Sequence, residues 1–190
     1  MIRRLGLTGL TAMLVTMPLA AQAEPVMLKL LEFEEDSGER WFVVNDGVMG
    51  GRSSSTLRRG EPGVAVFEGS LSLENNGGFA SVRVELEENV LAGANQIILR
   101  VRGDGKRYQV RLRPGRRMDG VAFGSSFDTV DGQWTTVELP LTSFEPTFRG
   151  YRPRSTSPVD PADVGQFGLM LTDKQEGGFR LEIDWVRFSR

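Results

Sequence analysis

The chain contains no cysteine and no histidine. Without cysteine there is no disulfide, no thiolate metal site, no thiol nucleophile and no redox pair. Without histidine there is no Ser-His-Asp triad, no imidazole base and no histidine-held catalytic zinc. Aromatic residues are also sparse, with two tyrosines and three tryptophans in 190 residues. Glycine is abundant at 23, and hydrophobic residues make up 39%, enough for a packed core cut by many turns. The only long apolar run lies near the start, between Leu5 and Leu19, and it is short for a bilayer span. Arg3 and Arg4 precede it and Ala21-Gln22-Ala23 follows, the pattern of an export signal cleaved before Glu24. The expected organisation is a signal peptide at 1–23 and one binding domain at 24–190. Location is then periplasmic or secreted, with no stable membrane span after cleavage. Taking Arg3 and Arg4 from the 23 basic residues leaves 21 against 25 acidic ones, a net of −4. That balance argues against nucleic acid as a partner.

Apolar residues alternate with polar ones along most of the mature chain. Ala80, Val82, Val84 and Leu86 share one strand face, as do Ile97, Leu99 and Val101, then Tyr108, Val110 and Leu112. Phe179, Leu181, Ile183 and Trp185 form a fourth set. Further strands are expected over 27–33, 41–44, 53–57, 64–70, 134–139 and 166–171. Short strands split by glycine-rich turns predict an all-β antiparallel sandwich. Asp104-Gly105 predicts a type I′ hairpin in which Val101 pairs with Tyr108, Leu99 with Val110 and Ile97 with Leu112. A second hairpin is expected to turn over 173–178. The proline-rich stretch from 140 to 164 is the one long irregular segment, with Asp160 and Pro161 able to start a helical turn.

The densest unusual segment is Asn45-Asp46-Gly47-Val48-Met49-Gly50-Gly51-Arg52-Ser53. A strand ends on turn residues, and a glycine pair permits tight bending. Met49 must plug the core or face a partner. The segment is not a phosphate-binding P-loop, because the Gly-Lys-Ser/Thr end and the following helix are missing. A structural turn and a binding loop both fit these residues. The candidate binding residues are Asn45, Asp46, Met49, Gly50, Gly51, Arg52 and Ser53, with Arg149, Gly150 and Tyr151 of the long loop expected beside them. In this arrangement Arg52 or Arg149 pairs with Asp46.

This segment resembles the signature of the complex I intermediate-associated protein 30 family. Ordered matches continue through Gly69-Ser70-Leu71-Ser72, Asn75-Asn76-Gly77-Gly78-Phe79-Ala80-Ser81-Val82-Arg83 and Arg102-Gly103-Asp104-Gly105-Lys106-Arg107-Tyr108. Trp134, Phe144, Arg149-Gly150, Asp173-Lys174-Gln175 and Gly178-Phe179 complete them, from about Leu31 to Phe188. The resemblance implies a galactose-binding-domain-like jelly roll. It also implies a non-enzymatic assembly factor that docks on a protein, as the mitochondrial member does for respiratory complex I. The signal marks this chain as a bacterial, exported member, and fold transfers to such a chain better than biological role.

Two other features bear on function. Arg83, Arg100, Arg102, Arg111 and Arg113 all fall opposite the apolar faces of their strands. They form either a solvated face paired with acids such as Glu85 and Glu87, or a docking face for an acidic protein or anionic glycan. Glu182 and Asp184 share a strand face and suit a weak carboxylate-based hydrolase or, equally, a salt-bridged surface. No cofactor is implied, and no calcium loop is seen. The first expectation is a protein-docking module, with a protein as its partner. The alternative is a carbohydrate-binding module using Trp41, Trp134, Phe148 or Tyr151 as a sugar platform, with Trp134 expected in the core.

Overall fold

Among the described residues, alternation of apolar and polar side chains becomes twelve strands, because period 2 lets each strand bury one face and solvate the other. A computed structural model describes residues 26–33, 38–115, 120–148, 150–154 and 157–190. The expected signal, 1–23, lies outside the described residues. The strands are β1 (Met27–Glu32), β2 (Trp41–Asn45), β3 (Ser54–Arg59), β4 (Ala65–Leu71), β5 (Ala80–Glu85) and β6 (Gln96–Arg102). They continue with β7 (Arg107–Pro114), β8 (Ala122–Asp128), β9 (Trp134–Pro140), β10 (Glu145–Thr147), β11 (Val164–Leu171) and β12 (Gly177–Ser189). Among the described residues the only helical pieces are short 3-10 turns. One of them is Pro161–Asp163, where the Ala162 amide donates to Asp160 Oδ1 at 2.9 Å, as the Asp-Pro pair predicts.

All strand pairs are antiparallel. One sheet runs β3-β4-β12-β6-β9, with β1 also on β12. The other runs β10-β8-β7-β11-β5-β2. Strand β12 holds β6 on one side, while β4 and β1 share its other side end to end. Between the sheets lies one continuous apolar core containing Phe67, Leu99, Val110, Leu112, Phe167, Leu181 and Phe188. Each such side chain contributes about 1.5–3 kcal/mol of transfer free energy when fully buried. Phe167 meets Trp41 edge-on at 6.1 Å and Phe188 at 5.5 Å, locking β2, β11 and β12 together.

Both expected hairpins are corrected. Strand β6 belongs to the first sheet and β7 to the second, so Val101 pairs with Ile183 and Thr135, and Tyr108 with Phe127 and Leu171. Likewise β11 and β12 lie in different sheets, so 173–178 is a crossover. Two strands with inward apolar faces satisfy the same hydrophobic pattern whether side by side or face to face across a core. Asp104 also finds side-chain partners that no hairpin requires. Its Oδ1 accepts from the Lys106 amide at 3.2 Å and the Tyr108 hydroxyl at 3.0 Å, and its Oδ2 from the Arg180 amide at 2.9 Å.

Trp185 is also displaced from its expected place. A bulge between Ile183 and Trp185 inverts the alternation, so Val186 and Phe188 take the buried positions beyond it. Trp185 packs outside, with the Arg187 guanidinium 4.0 Å from its ring centroid. Strands β8 and β10 escape the sequence pattern because Gly124, Ser125 and Ser126 dilute the apolar signal of β8, and β10 is only three residues long.

Candidate functional site

The strand registers place Asn45, Ala80, Leu171, Tyr108 and Phe127 at one end of the second sheet. The connections leaving that end all cross to the first sheet: β2 to β3, β4 to β5, β6 to β7, β8 to β9 and β11 to β12. Four of the segments that carry the family resemblance, 45–53, 69–83, 102–108 and 173–179, converge there.

Asp46 fastens two of these crossovers. It follows β2, opens a 3-10 turn over Asp46–Met49 and is 0% exposed. Its Oδ1 accepts from the Ser53 amide at 2.9 Å, and its Oδ2 from the Ser53 hydroxyl at 2.5 Å. Oδ2 also accepts from the amides of Gly78 at 2.7 Å and Phe79 at 3.3 Å, in the connection from β4 to β5. Burial pushes the carboxyl pKa up, but the Ser53 hydroxyl and the amides of Gly78, Ser53 and Phe79 outweigh it, and the group titrates below its usual 3.8. Asn45 adds a second tie, its Oδ1 accepting from the Ser55 hydroxyl at 2.7 Å and the Ser81 amide at 3.4 Å.

The glycine pair has two separate causes. Gly50 sits at φ +89, in the left-handed region that disfavours a Cβ. Gly51 lies against the Asp46 carboxyl, where a Cβ would come within 2.5 Å of Oδ1. What the clamped turn shows to solvent is apolar: Val48 is 74% exposed and Met49 65%. Leu73 and Val130, on two other connections at this end, are exposed as well.

Several expected site residues go elsewhere. Arg52 pairs with Glu74 at 3.1 Å rather than with Asp46. Gly150 and Tyr151 follow β10, at the opposite edge of the six-stranded sheet from β2, five strand spacings or roughly 24 Å away. Alternating strand directions also put them at the opposite end. The expected meeting of 45–53 with that loop therefore does not occur, and Arg149 lies outside the described residues. The sequence showed both segments as loops, but not which sheet edge carried each. Tyr151 is exposed and meets Phe148 edge-on at 6.4 Å. Trp41 packs against Phe33 and Phe167, so its ring is occupied. Trp134, expected in the core, is half-buried on the outer face of β9, with Arg102 5.0 Å and Arg100 5.5 Å from its ring centroid. Strand β9 is an edge strand, and its register puts Trp134 beside Arg102.

The carboxylate pair on β12 is engaged by guanidiniums. Glu182 is bound by Arg102 and by Arg180, the latter at 2.7 Å, and Asp184 meets Arg100 at 3.3 Å. Burial raises the pKa of Glu182, but Arg180 and Arg102 more than reverse this and hold it below the usual range. Glu68, between Arg58 and Arg180, is also lowered, first by its hydrogen bond from Arg58. A carboxyl whose folded pKa lies below its unfolded value stabilises the fold above the unfolded pKa and loses that contribution as pH falls through the folded value. Asp46, Glu68 and Glu182 all have this sign. The urea midpoint is therefore expected to hold from pH 7 to about 5 and to fall steadily below pH 4. A midpoint that rises on acidification would contradict these three assignments.

Among the described residues no three Asp or Glu side chains gather as a metal-binding group. No helix there is long and apolar enough to cross a membrane.

Known proteins agree with this architecture. A mitochondrial probable complex I intermediate-associated protein 30 of Caenorhabditis elegans is 28% identical over 155 residues, 72% of this chain and 46% of that protein. The Mus musculus complex I intermediate-associated protein 30 is 25% identical over 173 residues, covering 80% of this chain and 53% of that protein. The chain thus spans about half the length of these relatives. Among solved structures, the family 11 carbohydrate-binding module of the cellulosomal cellulase Lic26A-Cel5E of Clostridium thermocellum superposes with TM-score 0.62 at 14% identity. It covers 90% of this chain and 97% of the module. The family 11 module in complex with a β-1,3-1,4-mixed-linked tetrasaccharide gives TM-score 0.59 at 14% identity, covering 83% of this chain and 94% of the module. At such identities the likeness is one of fold. The family model for complex I intermediate-associated protein 30 matches residues 31–183, and the chain belongs to that family.

Proposed function

We propose that this protein is a non-enzymatic docking module that acts after export and grips a protein partner with the Asp46-clamped end of its sandwich. The observation that carries this reading is the pairing of a buried, four-times-bonded carboxylate with an exposed Val48 and Met49 on the same short turn. A rigid support under exposed apolar side chains lowers the ordering cost of binding. Methionine adapts its shape to a partner surface. Membership in a family named for complex I assembly supports a protein partner in an assembly role. The arginine-bound state of Glu182 and Asp184 speaks against the hydrolase reading.

The test is a photo-crosslinking residue placed at 48, with a control at exposed Thr136 on β9 of the other sheet, in the protein's native envelope. A discrete adduct is expected from position 48 only. Met49→Asp is expected to reduce its yield about tenfold while changing stability by no more than about 0.5 kcal/mol. Equal labelling from both positions would remove the docking assignment. N-terminal sequencing of the envelope fraction should return Glu24, and Met1 from a cytoplasmic pool would remove export. The glycan reading is favoured by exposed Tyr151 and by the fold shared with a module that binds a mixed-linked tetrasaccharide. It requires saturable binding of that sugar, lost in Tyr151→Ala.

A further inference from the structure

The five arginines expected on one outer face divide between the two sheets. Arg100 and Arg102, on the first sheet, are paired with Asp184 and Glu182. Arg83, Arg111 and Arg113 lie on the outer face of the second sheet, and no ion pair reaches any of them among the described residues. Among the described residues Glu85 and Glu87, expected to neutralise them, reach none of the three.

The register explains how three guanidiniums come together. Gly168 of β11 pairs with Arg83 on one side and Arg111 on the other, and Arg113 lies two residues beyond Arg111. Across two strand spacings Arg83 and Arg111 start roughly 10 Å apart, with no side chain between them at Gly168. Arg83 and Arg113 border that gap from its two sides, and Arg111 lines it while directing its guanidinium over β8 to Thr147. Arg83 leans over the glycine, where an added Cβ would stand 3.1 Å from its Cγ. Ser81, Met170 and the three arginines line the resulting hollow.

These arginines are unusual for a solvated surface. Arg83 is only 8% exposed and has no hydrogen-bond acceptor among the described residues. Arg113 Nε is buried without a partner. Arg111 donates from Nε to Gln109 Oε1 at 2.6 Å and from Nη1 to Thr147 Oγ1 at 2.9 Å, both neutral acceptors. Burial first, and then the neighbouring arginines, push Arg83 and Arg111 down to about 10. Asp173 is the carboxylate whose charge acts on Arg111, and it makes no ion pair with it.

We infer that Arg83, Arg111 and Arg113 form a binding site for one tetrahedral oxyanion, phosphate or sulfate, seated over Gly168. Three guanidiniums around one hollow offer more donors than a carboxylate with two oxygens can accept, and suit a dianion with three or more. The anion supplies the acceptors and the negative charge that the sheet itself does not. This site is independent of the apolar turn at the sandwich end.

The experiment is calorimetric titration of the purified protein with inorganic phosphate, inorganic sulfate and phenyl phosphate, at ionic strength held constant with chloride. Saturable binding of a dianion is expected at or below about 1 mM, weakened about tenfold or more in Arg111→Gln and Arg83→Met. Arg100→Gln, on the other sheet, is expected to bind as the parent does. Phenyl phosphate separates the two sources, since binding it as tightly as inorganic phosphate marks an ester-borne group, and excluding it marks a free ion. Melting curves add a readout that a purely structural cluster would move the other way. Without a dianion, Arg83→Met is expected to melt at or above the parent temperature, because the stem is kept and one repelling charge is gone. No binding beyond chloride, or equal binding by Arg111→Gln, would overturn the inference. So would an Arg83→Met protein that melts lower and still binds.

Discussion

Asp46→Ala is expected to lower the unfolding free energy by about 3–5 kcal/mol, the largest effect of any single polar substitution in the domain. The carboxylate receives two donors from Ser53 and one each from Gly78 and Phe79. Alanine leaves these donors in a space closed to solvent, at roughly 1–3 kcal/mol for each that finds no water. Ser53 loses most, although its hydroxyl keeps the Ser72 amide as a donor at 3.0 Å. Asp46→Asn retains one acceptor and turns an amide group towards existing donors, so an intermediate loss is expected. Urea unfolding at pH 7 measures both. A loss below about 1 kcal/mol for the alanine variant would mean that the turn is held by its backbone alone.

Gly51→Ala is the second large effect, and its sign of coupling is diagnostic. The new methyl would stand 2.5 Å from Asp46 Oδ1 and 2.8 Å from its Cβ. That carboxyl cannot move aside without abandoning its donors, so a loss of about 2–3 kcal/mol is expected. In Asp46→Ala the carboxyl group is absent and only the Cβ, 2.8 Å from the new methyl, still crowds it. The double variant is therefore expected to lose at least about 1 kcal/mol less than the sum of the two single losses. Simple additivity would show that Gly51 is needed for its backbone and not for the close approach. Gly50→Ala provides the contrast. There is open space around its Cβ position, and only the positive φ opposes it, at a cost of about 1–2 kcal/mol unchanged by loss of Asp46.

Strand identity was readable because burial on one face imposes period 2, and the faces of β5, β6 and β7 are those expected from Val82, Leu99 and Val110. Strand partnership was less readable. Period 2 reports that a strand faces a core, not which sheet it joins, and Asp-Gly suits an arch as well as a hairpin when Asp104 has its own hydrogen bonds. The 45–53 segment stood out as unusual, yet the partners of Asp46 at Gly78 and Phe79 lie more than thirty residues away. Nothing local marks that aspartate as buried. The arginines were seen as a surface feature. Their separation into paired and unpaired groups depends on whether the neighbouring strand offers Glu182 or Gly168, which only the register reveals.

The position of β12 has a consequence for how the protein is made. Among the described residues it comes last of the strands, yet it lies inside its sheet between β6 on one side and β4 and β1 on the other. A nascent chain emerging from the ribosome can form the β3–β4, β6–β9 and β7–β8 pairs, but β1 must wait for residues 185–189, and β4 cannot join β6 in one sheet until β12 lies between them. Val26 then closes the sandwich through reciprocal backbone bonds with Arg190, at 3.0 and 3.1 Å. Folding therefore becomes productive only after synthesis of the domain is complete, and such long-range pairing is slow. A polypeptide whose first sheet stays split until its last strand exists cannot seal its core before then.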